Sequence, residues 1–122
     1  MNMKPLQPPT QDVAARILSE VRFEERLIGY RLRKRMGPFP VSLYSFEEVV
    51  RFLCEEIPQL DFGSLKEWVR GTIGDEDLAR GIEEITQTDL GDQEKALHIR
   101  NQMALRLAQC KRLVALAIPR SP

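Results

Sequence analysis

The run from Gln93 to Ala117 constrains this chain most, because it contains neither Gly nor Pro and its apolar residues recur at helical spacing. Ala96, Ile99, Met103, Leu107, Cys110, Val114 and Ala117 form one continuous stripe on a helical wheel, and Pro119 stops the helix just beyond it. Beside the stripe lie Leu97, Ala104, Ala108 and Ala115, mostly small side chains of the kind that let a neighbouring helix approach closely.

The rest of the chain is punctuated in the same language. Thr10 precedes a helical pattern in which Val13, Ile17, Val21, Ile28 and Leu32 share a stripe, with Leu18 and Met36 beside it. Gly37, Pro38 and Pro40 end that pattern. Gly29 interrupts it at about 1 kcal/mol relative to alanine, which marks either a kink or the close approach of another backbone. Val41 to Tyr44 reads as a short extended linker. Ser45 and Glu48 form a capping box ahead of Phe46, Val49, Val50 and Leu53, and Pro58 closes that second helix. A second capping box, Ser64 to Glu67, opens a third helix with Leu65, Trp68, Val69 and Thr72 on one side. Gly74 ends it, and Asp75 caps a fourth with Leu78, Ile82 and Ile85 inward. The expected fold is all-α: a single-domain bundle of about five helices, the first and last long and three short ones between. That domain spans residues 10–118, with a disordered leader at 1–9 and a tail at 119–122. Strand content is expected to be nil, or a stub near Val41 to Tyr44. Trp68, the only tryptophan, is expected to anchor the core between the short helices.

A chain of 122 residues is one domain by length, and 43% apolar residues suffice for a core without staples. No stretch reaches the ~20 apolar residues of a membrane helix. The proline-rich, polar start lacks the apolar centre of a signal peptide, so a cytoplasmic protein is expected. Cys54 and Cys110 both sit in apolar helical patterns and are expected as reduced core thiols.

Charge is sorted by position, although the net formal charge is zero. Arg16 to Met36 carries seven basic and three acidic residues, Glu47 to Glu94 four basic and fourteen acidic, and Lys95 to Pro122 six basic and no acidic. Two basic arms flanking an acidic middle either neutralise it on folding or serve partners of opposite sign.

Reactive constellations are thin. His98, the only histidine, shares a polar side with Asn101, Gln102 and Gln109, and the cysteines lack metal-ligand spacing. The carboxylate pairs at Glu47–Glu48 and Asp75–Asp77 suit helix N-termini, and Glu83–Glu84 a solvated face. Gly71 to Asp75 lacks the Gly-Lys-Ser/Thr end of a phosphate loop. No catalytic residue, metal ligand or cofactor site is expected.

Two features point to binding instead. Phe23, Leu27 and Tyr30 lie opposite the main stripe of the first helical pattern, rimmed by Arg22, Arg26 and Arg33, and make a candidate partner surface. Arg26, Arg31, Arg33, Lys34 and Arg35 crowd ten residues and make a candidate anion site. The leading functional expectation is a non-enzymatic interaction or regulatory module, binding a protein partner or a second copy of itself, and no membrane. The alternative is nucleic-acid or anionic-ligand binding through the basic cluster. A third reading is an enzyme whose site, using Tyr30 or Tyr44 beside a buried carboxylate, does not show in sequence.

The segment with Asp61-Phe62, Trp68-Val69, Ile73-Gly74-Asp75, Leu78-Ala79, Ile82 and Ile85 resembles a small prokaryotic helical domain family of uncharacterised function. The likeness covers residues 45–86, including the Ser45 to Pro58 helix. It implies a helical fold and brings no activity, ligand or catalytic residue. The first helical pattern, with its basic cluster, departs from that family.

Overall fold

The computed structural model describes residues 6–33 and 35–117, with the side chains of Arg33 and Ala117 outside the description. Helix α5 (Asp92–Ala117) is the spine. It starts and ends where the sequence pattern places it. Helices α1 (Gln11–Ile17), α2 (Phe46–Leu53) and α4 (Glu76–Thr86) pack on it, and α3 (Phe62–Glu67) packs on α4. Its stripe of Ala96, Ile99, Met103, Leu107 and Cys110 is buried, but Val114 is exposed. Burial on α5 tapers after Cys110, where Leu113 is only partly buried against the core.

The long first helix is the main correction. Helix α1 ends at Ile17, and the basic, apolar segment after it is not α-helical, its one helical turn being the short 3-10 turn Phe23–Glu25. Leu27–Arg33 is strand β1, and Gly37–Leu43 is strand β2, paired antiparallel from Leu27↔Leu43 to Arg33↔Gly37. The fold is predominantly helical, with five α-helices among the described residues, but it is not purely α. The physical reason lies in Leu27 to Leu32, which is apolar on both sides of a helical wheel. At period two the same residues divide cleanly: Leu27 and Gly29 are buried, whereas Ile28, Tyr30 and Leu32 are exposed. Tertiary pairing overrides a helical spacing that local sequence permits equally.

The prolines of β2 fit this pairing. The Tyr30 N–H points away from β2 and donates to the Gln59 carbonyl at 2.8 Å. Tyr30 and Pro40 therefore face each other at a non-hydrogen-bonded position, as do Leu32 and Pro38 two residues on. Neither proline removes a ladder bond, and both remove donors from the free edge of β2. Arg35, in the turn, takes a left-handed φ of 69°.

Capping follows the sequence, except that the Glu48 carboxylate takes the Tyr44 N–H in place of the Ser45 N–H and the third helix begins at Asp61. Ser45 Oγ accepts from Glu48 N–H at 3.1 Å, while the Glu48 carboxylate accepts from Tyr44 N–H at 3.3 Å. The third helix starts earlier than its Ser64 capping box implies: Asp61 is the cap, and its carboxylate accepts from both the amide and the hydroxyl of Ser64. Beyond α3 the helix widens to a π turn at Trp68–Ile73, which ends at Gly74 with φ 84°. Asp75 then caps α4 through Leu78 N–H at 3.1 Å.

Trp68 sits in the core, and its indole N–H donates to the Glu25 carbonyl at 2.7 Å, tying the pre-hairpin turn to the helices. Cys110 is buried as expected, but Cys54 is exposed at the end of α2, its thiol donating to the Val50 carbonyl. Within the stretch read as a leader, Leu6 packs partly buried against the core, and Gln7 is hydrogen-bonded to Asp77 and Arg106. Residues 1–5 and the tail at 119–122 lie outside the described residues. Among the described residues no helix is long and apolar enough to cross a membrane.

Candidate interaction surface

The hairpin positions the candidate surface. Its inner face, through Leu27, Gly29 and Leu43, is held against the core, and Gly29 packs under the ring of Phe52. Its outer face carries Ile28, Tyr30 and Leu32 from β1 and Pro38 and Pro40 from β2. Leu32 is 63% exposed, Tyr30 46% and Met36, at the tip, 76%. Phe23, in the turn before β1, is 64% exposed and lies under the guanidinium of Arg26 at 3.9 Å from its ring centroid.

Of the residues expected to meet a partner, Phe23 and Tyr30 are exposed and Leu27 is buried at 5%, which removes it from the surface. Leu27 points inward because β1 alternates, placing it on the face opposite Tyr30. Conversely, Ile28, Leu32 and Met36, assigned to the core by the helical reading, are exposed. The signal that could have found them is the Ile28-Tyr30-Leu32 alternation followed by two prolines at a matching interval.

The cations are distributed rather than gathered. Arg22 pairs with Glu25 at 3.0 Å and Glu24 at 3.7 Å, and its hydrogen bond holds the Glu25 carboxyl below the usual range. Arg26 donates to Ser42 Oγ at 3.1 Å and to the Phe23 carbonyl at 2.9 Å. Arg31 makes a two-pronged pair with Glu55, with Nη2 to Oε2 at 2.6 Å. Arg35 is exposed at the hairpin tip. Lys34 and the side chain of Arg33 lie outside the described residues. Arg31 is thus on the inner side, neutralised by the acidic segment, while Arg26 and Arg35 have no carboxylate partner among the described residues. The charge sorting in the sequence resolves in part internally: Arg31 meets Glu55, Lys111 meets Glu47 at 3.3 Å, and Arg106 meets Asp75 at 2.8 Å.

The Arg106–Asp75 pair is the feature that sequence reading missed. Arg106 is 1% exposed, yet it sits among Met103, Leu107 and Cys110 on α5. The Nε–H is not aligned on Asp75 Oδ2, so the contact is ionic rather than a directed hydrogen bond, and Nη2 reaches Asp75 Oδ1 at 3.4 Å. The only sequence signal was a cation within an apolar stripe.

A cleft of about 340 Å³ lies between Ile57–Gly63 and the start of α5, with Lys66, Thr86 and Asp92 on its wall. Asp61 there is committed to capping, and Lys66 lies 3.8 Å from Glu83. Among the described residues no group of three His, Cys, Asp or Glu side chains is placed to hold a metal. No family model, no curated protein and no solved structure matches the chain.

Proposed function

We propose that this protein is a non-enzymatic interaction module that docks through the outer face of its hairpin onto a protein surface that is apolar and rimmed by carboxylates. The observation that carries this reading is one contiguous exposed face, Phe23, Ile28, Tyr30, Leu32 and Met36, flanked by Arg26 and Arg35. Side chains of this kind recur at binding surfaces, because aromatic and Met residues bring large area and Arg brings directed charge. Arg26 and Arg35, which have no carboxylate partner among the described residues, favour an acidic partner. Pro38 and Pro40 withhold donors from the free edge, so strand addition is disfavoured and the partner is met by the face. A second copy is the weaker occupant. Pairing two copies of this face would bring like charges together.

A photo-crosslinking residue replacing Leu32 tests the reading in the cells that make the protein. A discrete adduct is expected from that site, absent when the crosslinker replaces Glu84 and lost with Phe23→Glu/Tyr30→Glu. An adduct that survives the double substitution, or none at all, overturns the assignment. Light scattering is expected to give a monomer. A dimer that dissociates with the same double substitution would make a second copy the occupant and overturn the acidic partner.

A further inference from the structure

The first described residues of the chain are held like a bound peptide. The Gln7 N–H donates to Asp77 Oδ2 at 2.8 Å, and the Gln7 carbonyl accepts from Arg106 Nη1. Arg106 Nη2 lies 3.4 Å from the same Asp77 oxygen, so one carboxylate–guanidinium pair reads both polar groups of one main-chain residue. Leu6 meanwhile packs half-buried against the core and, with Asp77, Arg80, Gly81, Glu84 and Gln102, lines a cavity of about 50 Å³ between α4 and α5.

Arg106 is fixed by Asp75 and by Gln109, whose Oε1 accepts from Nη1 at 2.9 Å, and Asp75 is itself fixed as the cap of α4. What remains on Nη1 is a donor aimed at the position of the Gln7 carbonyl, which satisfies it when the segment is in place. Among the described residues both hydrogen bonds of Gln7 use its main chain and none its side chain. Recognition therefore requires only an apolar side chain followed by a residue with a free amide, in extended conformation. Pro8 and Pro9 suit this, since they separate the segment from α1 and bias the chain towards extended backbone.

We propose that the Asp77–Arg106 pair and the adjoining cavity form a peptide-binding site for an extended partner segment presenting leucine and then a non-proline residue, with Leu6–Gln7 occupying it in cis as a displaceable strap. The site is separate from the hairpin face and stands or falls independently of it.

A fluorescent peptide of residues 4–9 supplies the probe, titrated into the full chain with anisotropy as the readout. Saturable binding is expected to the Leu6→Asp chain, whose strap is weakened. Binding to the wild-type chain should be about tenfold weaker or more, because a filled site leaves only a fraction competent. Asp77→Ala in the Leu6→Asp background should abolish binding, as should Leu6→Asp in the peptide, whereas Phe23→Glu should leave it unchanged. Gln7→Pro, which removes the donor without touching the cavity, provides a second weakened strap should Leu6→Asp disturb the fold. Equal affinity for wild type and the opened chains overturns the proposal. So does the absence of saturable binding to an opened chain whose circular dichroism matches wild type.

Discussion

The ring of Phe52 fills the space that a side chain at Gly29 would need: a Cβ placed there lies 2.7 Å from Phe52 Cζ and 2.8 Å from Cε1. Phe52 is itself buried in α2, so the ring has nowhere to retreat. This contact seats the hairpin on the helical body. Gly29→Ala is expected to destabilise the fold by about 1–3 kcal/mol, the usual range for overpacking. Phe52→Leu should relieve part of that in the double variant. Urea midpoints of the four proteins check it, and a Gly29→Ala midpoint equal to wild type would refute the close approach.

Trp68 joins the pre-hairpin turn to the core by both packing and its hydrogen bond to the Glu25 carbonyl. Trp68→Ala should cost about 3–5 kcal/mol. Trp68→Phe keeps most of the ring but leaves the carbonyl without its donor, and should cost less, with loss of order around residues 23–25 visible in amide exchange. Equal losses from the two substitutions would mean that the hydrogen bond dominates, contrary to expectation.

The two thiols should separate chemically. Cys54 is exposed, whereas burial pushes the Cys110 thiol up to about 11. The thiolate is the reactive form, so Cys54 should be alkylated at pH 8 and Cys110 only after unfolding. Mass spectrometry of the maleimide-treated native protein should find one adduct, at Cys54. An adduct at Cys110 under native conditions would overturn its placement in the core.

Asp61 gives a pH dependence with a definite sign. Hydrogen bonds from Ser64 hold its carboxyl below the usual range. A folded-state value below the unfolded one means that the carboxylate stabilises the fold above the ordinary aspartate range and loses that contribution as pH falls through the lowered value. Asp61→Asn keeps a capping oxygen and should match wild type at neutral pH while flattening the acid limb of the stability curve. Asp61→Ala should cost about 1 kcal/mol at neutral pH. An Asp61→Asn acid limb superimposable on wild type would sink the assignment.

How much was legible in sequence differed by element. Helix α5 could be read to within a residue at its start, because the missing Gly and Pro, the apolar stripe and the terminal proline all agree. Ser45 and Asp75 identified their helices for the same reason: a cap is a local hydrogen bond, and its partners lie three residues away. Ser64 misled because it is a good cap residue that Asp61 pre-empts, drawing both Ser64 donors to its own carboxylate. Phe23 and Tyr30 were recognised as candidate surface residues, but for a reason that does not survive. They were placed on a second face of a helix, whereas one belongs to a turn and the other to the outer face of a strand.

Residues 21–36 mark the boundary. Their composition established a basic segment with more apolar residues than one helical face requires, and nothing local chose between a helix and half of a hairpin. Contacts distant in sequence made that choice: Leu27 against Leu43, Tyr30 N–H on the Gln59 carbonyl, Gly29 beneath Phe52. The same holds for Arg106, whose burial depends on a carboxylate thirty-one residues earlier and on Gln7 at the other end of the chain. Caps and periodicity are properties of a few neighbouring residues and are written where they act. Strand pairing and buried charge are settled between segments that meet only after the chain has folded.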